Sequence, residues 1–79
     1  MSESNEYTRT MTPVRMQEGA ESVEVAFLES ARFYLLPTGT SEFDSLVAIL
    51  RDAVEKGRSV EVSTASIESD VIKNVKPAN

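Results

Sequence analysis

At 79 residues, with 41% hydrophobic and 27% charged side chains, the chain has the composition of one folded domain with a small core. It contains no cysteine and no histidine, which excludes disulfides, thiolate nucleophiles, imidazole bases and the common zinc sites, and leaves any metal to oxygen ligands. A net charge of −5 disfavours nucleic acid and anionic membranes as partners, because phosphate contacts need a surplus of Lys and Arg on one face.

Residues 1–10 are polar and offer only Tyr7 as an apolar anchor, so they are expected to be a disordered tail ahead of a single α+β domain over residues 11–77. They also contain no apolar run of the secretory or membrane-spanning kind, and the expected compartment is the cytoplasm. From Thr12 to Gln17, Val14 and Met16 alternate with Pro13 and Arg15, which predicts a short strand that the proline confines to an edge or a strand start. Glu18 to Glu21 reads as a turn, with Gly19 free to take a positive φ.

Ser22 to Leu28 carries the period-2 signature of a half-buried strand, with Val23, Val25 and Phe27 on its inner side. Ala31 to Leu36 predicts a second strand that pairs with it as a hairpin. Glu29 and Ser30 are not the Asn-Gly type of a tight primed turn, so the loop is expected to be wider than two residues or to hold a bulge. Ala31, Phe33 and Leu35 are expected on one side of this strand, with Arg32, Tyr34 and Leu36 on the other.

Phe43, Leu46, Val47, Leu50, Ala53 and Val54 fall at helical spacing along one stripe, and they predict an amphipathic helix between Ser41 and Gly57. Ser41 is the expected N-cap, Lys56 sits in the last turn, and Gly57 occupies the position that favours a left-handed residue. Arg58 to Ser63 predicts a strand with Val60 and Val62 inward. Thr64 to Ser69 reads as a loop, and Asp70 to Val75 as a last strand with Val71 and Val75 on one face.

Three strands, a helix and two strands predict the α+β class: a small five-stranded antiparallel sheet or an OB-like barrel (β-β-β-α-β-β) with one helix packed on it. The segment R-F-Y-L-L-P at Arg32 to Pro37, the run F-D-S-L-V-A-I-L-R-D-A-V-E-K-G-R-S-V-E-V at Phe43 to Val62, and the Ile- and Val-rich end resemble small bacterial OB-fold proteins related to the B subunits of AB5 toxins. The similarity covers roughly residues 22–75. It implies ring-forming oligomers and glycan binding, and carries over no individual binding residue. The chain departs from that pattern in lacking a cysteine pair and an export signal.

No catalytic residue, metal ligand or cofactor site emerges. The loop Thr38 to Ser41 leads into a helix N-terminus, but it lacks the lysine and glycines of a phosphate loop, and Glu42 and Asp44 would repel an anion. Glu24, Glu29 and Glu61 are expected on the solvent side of their strands, where nothing separates their pKa values for acid–base work. A two-layer monomer would leave Ala26, Leu28, Tyr34 and Leu36 wet, together with Ile49 and Ile72, unless a barrel closes over some of them. The expected interaction face is therefore Leu28, Arg32, Tyr34 and Leu36. The expected role is a noncatalytic protein-interaction or assembly domain that self-associates as a homodimer or ring. The alternative is an OB-like module for a small ligand, a glycan or single-stranded nucleic acid, with Arg32, Phe33 and Tyr34 as a stacking strip; charge disfavours the nucleic-acid version.

Overall fold

The computed structural model describes residues 7–78 as six strands and one helix: β1 (Tyr7–Met11), β2 (Pro13–Glu18), β3 (Ser22–Phe27), β4 (Phe33–Pro37), α1 (Phe43–Lys56), β5 (Val60–Thr64) and β6 (Ile72–Pro77). The class is α+β, as expected, but the strands form two antiparallel three-stranded sheets, β1-β5-β6 and β2-β3-β4, instead of one five-stranded sheet.

The N-terminal side differs from the expected tail. Tyr7–Met11 is a strand paired along its length with β5, so residues 7–10 are not part of a tail; residues 1–6 lie outside the described residues. Met11 enters the core at its end. A single residue, Thr12, separates β1 from β2, and it is held from both sides. Its carbonyl accepts the Leu28 amide at 2.8 Å, its amide and hydroxyl donate to Glu29 at 2.7 and 2.9 Å, and its Oγ1 lies 2.8 Å from Ser59 Oγ. One continuous chain thus bends at Thr12-Pro13 and supplies an edge to each sheet. Pro13, with no N–H to donate, is tolerated at the first position of an edge strand, as its chemistry requires.

Register decides which side chains reach the core. β3 presents Val23, Val25 and Phe27 inward as expected. Its partner β4 pairs Val23 with Leu36 and Val25 with Tyr34, and residues directly opposite each other project to the same face of a sheet. Tyr34 and Leu36 are therefore inside, at 3% and 0% exposure, while Phe33 and Leu35 point out at 54% and 37%. Five residues, Leu28 to Arg32, connect the two strands. Phe27 and Tyr34 meet edge to face inside the hairpin, with ring centroids 5.4 Å apart and planes at 89°, a geometry aromatic quadrupoles favour.

Two bulges displace the alternation elsewhere. In β2 the register shifts between Pro13 and Arg15, so Pro13 is buried while Val14 turns outward and Met16 packs against the core. Across β5 and β6 the shift lies between Ser63 and Thr64, which pair with Asn74 and Ile72 and leave Lys73 unpaired. Ile72 and Val75 consequently both face inward although three positions apart, and Val71, expected to share a face with Val75, is exposed.

Helix α1 lies on the core through Leu46, Val47, Leu50 and Ala53, with Phe43 and Ile49 packed at its margin. Its start differs from the expected one. The N-cap is Glu42, not Ser41; it adopts φ 61° and ψ 30° and makes no side-chain capping bond, while the Leu46 amide donates to its carbonyl at 3.0 Å. The C-terminus is as expected, with Gly57 at φ 67° and the amides of Gly57 and Arg58 both donating to the Ala53 carbonyl. No helix among the described residues is long and apolar enough to cross a membrane.

The two sheets also approach each other at the edge of β4. The Leu35 amide donates to the Asp70 carbonyl at 2.8 Å, and Leu35 and Val71 form an isolated parallel bridge just before β6.

Candidate functional site

The outer face of the β2-β3-β4 sheet is built from two cross-strand rows. Arg15, Ala26 and Phe33 form one, and Gln17, Glu24 and Leu35 the other, each set by direct pairing across the three strands. Arg15, Gln17, Glu24, Ala26 and Phe33 line a shallow depression of about 210 Å³. Val71 extends the second row past Leu35 through the parallel bridge. Phe33, Leu35 and Val71 thereby make an exposed apolar strip at the β4 side, with Glu24 and Arg15 supplying one charge of each sign beside it. A second cleft of about 290 Å³ lies between α1 and the ends of β5 and β6, with Ala48, Ile49, Ala53, Val60 and Pro77 in its walls and Asp52, Arg58 and Ser59 among its polar residues.

The expected interaction face is divided by this arrangement. Leu28 is exposed in the loop after β3, and Arg32 is exposed just before β4. Tyr34 and Leu36 belong to the core and cannot form a surface, because the hairpin register turns them toward Val25 and Val23. Phe33 and Leu35, which were expected to face the helix, occupy the surface instead. The signal that could have revealed this is the turn pair Glu29-Ser30 itself: counted outward from an even, two-residue turn, Val25 falls opposite Tyr34 and Val23 opposite Leu36, as observed. Ala26 does lie on the outer face, as expected, whereas Ile72 is buried by the bulge in β6 and Ile49 is half-buried against the core.

Arg32 is the most connected side chain of the region. Its Nη1 lies 3.1 Å from Asp70 Oδ1 and donates to the Glu68 carbonyl at 3.2 Å, while its Nη2 donates to the Ile67 carbonyl at 3.0 Å and to the Tyr34 hydroxyl at 3.4 Å. The guanidinium carbon stands 5.4 Å from the centroid of the Tyr34 ring. Burial pushes the Tyr34 hydroxyl up, but the hydrogen bonds from Arg32 and Ser30 and the nearby positive charges outweigh it, leaving the group below its ordinary value. Arg32 is shifted up, first by its bond to Tyr34.

The three glutamates considered for acid–base work sit apart in the fold. Glu24 is central on the outer face of β3, Glu61 lies on β5 opposite Lys76, and Glu29 holds the bend at Thr12. The Thr12 amide, foremost among its contacts, keeps the Glu29 carboxyl below the usual range. Among the described residues no cluster of acidic side chains has metal-ligating geometry, and no buried side-chain polar atom lacks a hydrogen-bond partner.

No protein-family model matches the chain, and no curated protein matches it in sequence. Two solved structures do. A crystal structure of pro-protein-glutaminase superposes with a TM-score of 0.78 at 27% identity, covering 89% of this chain and 24% of that one. A mutant of pro-protein-glutaminase superposes with a TM-score of 0.76 at 26% identity and the same coverage of 89% and 24%. Neither is a toxin B subunit. The α+β fold of this chain recurs as about a quarter of the length of a proenzyme.

Proposed function

We propose that the chain is a noncatalytic protein-binding domain with the strand connections of an OB barrel, which docks through the outer face of its β2-β3-β4 sheet. The barrel reading is supported by the continuous strand that bends at Thr12 into both sheets, the helix between β4 and β5, and the parallel approach of β4 to the start of β6. The observation that carries the docking reading is the strip of Phe33, Leu35 and Val71. Three large apolar side chains grouped on one small face, with polar and charged neighbours, are the usual mark of a contact surface. Self-association is the simplest form this takes. Sedimentation at ~100 μM should then give a mass above the monomer, and the double substitution Phe33→Lys with Leu35→Lys should return the monomer without unfolding it. A monomer at that concentration in the unsubstituted chain would refute self-association.

A second reading is favoured by the comparison with a proenzyme. There the domain's partner is an enzyme, and the chain acts as a pro-segment does, by covering part of that enzyme's surface. A quarter-length match and a sequence without cysteine or histidine suit the accompanying part of such a protein better than the part that performs hydrolysis. Adding the chain to mature protein-glutaminase should slow ammonia release from a protein substrate, and the Phe33→Lys, Leu35→Lys variant should relieve the inhibition. Unchanged ammonia release at a tenfold excess of the chain would reject this reading, with self-association judged separately by sedimentation.

A further inference from the structure

We infer that the segment between β5 and β6, residues 65–71, is a strap that detaches from β4 as a unit while the two sheets stay folded. The seam it closes is held by few backbone bonds. Along the four antiparallel pairings, β1 with β5, β2 with β3, β3 with β4 and β5 with β6, the strands are matched at five positions each, the second and fourth interrupted by one bulge. Between β4 and the strap there is one parallel bridge, Leu35 to Val71, and the bond from the Leu35 amide to the Asp70 carbonyl.

The strap contributes little buried surface to hold it down. Ala65, Ser66, Ile67, Glu68 and Val71 are exposed and Ser69 and Asp70 only half-buried, whereas the flanking Thr64 and Ile72 are buried and act as its anchors. Its internal bonds would travel with it: the Ser69 amide to the Ser66 carbonyl and the Val71 amide to Ser69 Oγ; the bond from Thr64 Oγ1 to the Ser66 carbonyl ties it to its N-terminal anchor, away from β4. What fastens it to β4 from outside is Arg32, through Asp70 and the carbonyls of Ile67 and Glu68. Both members of the Arg32 and Asp70 pair are more than 40% exposed, so the clasp is weak and screened by salt. Segments with few buried contacts and exposed hydrogen bonds open at lower free energy than the core they adjoin.

Opening has a consequence for the docking face. Val71 leaves the strip, so closed and open states present different apolar surfaces, and the outer edge of β4 at Leu35 becomes free. That consequence rests on the proposed docking function, but the opening does not, and amide hydrogen exchange on the full chain tests it alone. The Leu35 amide should exchange much faster than that of Val25 in the sheet interior, at a rate insensitive to low denaturant. Arg32→Ala should speed exchange at Leu35 by about fivefold, the loss of a weak exposed clasp, without a matching change at Val25 beyond any loss of global stability. Raising NaCl to ~1 M should accelerate Leu35 in the unsubstituted chain, which keeps the test decisive if the variant folds poorly. Leu35 exchanging together with Val25 only on global unfolding would overturn the strap.

Discussion

Leu35→Lys and Leu36→Lys differ by one position in β4 and should differ by most of the protein's stability. Leu36 is fully buried opposite Val23, so a lysine there gives up the burial of a leucine side chain, about 1.5–3 kcal/mol, and must also place an amine in an apolar core. The combined cost is on the order of 5 kcal/mol, comparable with the whole stability of a domain this size at roughly 0.05–0.15 kcal/mol per residue. Leu35 points out beside Glu24, and a lysine at that position keeps its head in water next to an opposite charge, so its cost should stay under about 1 kcal/mol. Urea titrations followed by far-UV circular dichroism at pH 7 would separate the two. Leu35→Lys should keep the cooperative transition near its original midpoint, and Leu36→Lys should lose it. Equal losses, or a folded Leu36→Lys beside an unfolded Leu35→Lys, would refute the phase of β4 and with it the docking strip.

Three further substitutions test the helix ends and the bend. Glu42→Gly should raise stability by about 0.5–1 kcal/mol in a urea titration, because Glu42 holds φ 61° without a capping bond and glycine removes the steric cost of that conformation. Gly57→Ala should lower stability by about 1 kcal/mol with an unchanged m-value; the added methyl meets nothing within 4 Å, so the whole loss comes from φ 67°. Glu29→Gln should destabilise at pH 7 by no more than about 1 kcal/mol, since the carboxylate is exposed. The Glu29 carboxyl is held below its ordinary 4.5 in the folded protein, so the unfolded chain binds more protons as the pH falls from that value. The advantage of the carboxylate is therefore complete above about pH 4.5 and is lost as pH falls through the folded value, and the two urea curves should converge on acidification.

What the sequence discloses here is what local periodicity can encode. The stripe of Leu46, Val47, Leu50 and Ala53, the alternation of Val23, Val25 and Phe27, the inward pair Val60 and Val62, and the left-handed Gly57 all depend on residues within one element, and all are found as expected. Strand β1 was hidden because its pairing partner β5 lies near the other end of the chain and its own residues are mostly polar. Glu42 displaced Ser41 at the helix start for a similar reason. The favoured capping residue is a local preference, while the loop from β4 fixes where the first helical amide must fall.

The candidate face was misplaced by one residue of phase, and that error shows how docking surfaces come to be hard to read. Arg32 to Leu36 contains Phe33, Tyr34, Leu35 and Leu36 in succession, so either alternate set could fill the core and the strand's own pattern cannot choose. The choice is made by the register with β3, which sets Val25 opposite Tyr34 and Val23 opposite Leu36. A strand apolar on both sides always leaves one side over once its register is set. Here the remainder is Phe33 and Leu35, and the bulge in β6 adds Val71 to it by turning Ile72 inward. The register of β4 and the bulge in β6 thus converge on one strip. Arg32 lies at the junction between them, joining the strap that carries Val71 to the strand that carries Phe33 and Leu35, so the shape of the docking face and the stability of the seam depend on the same side chain.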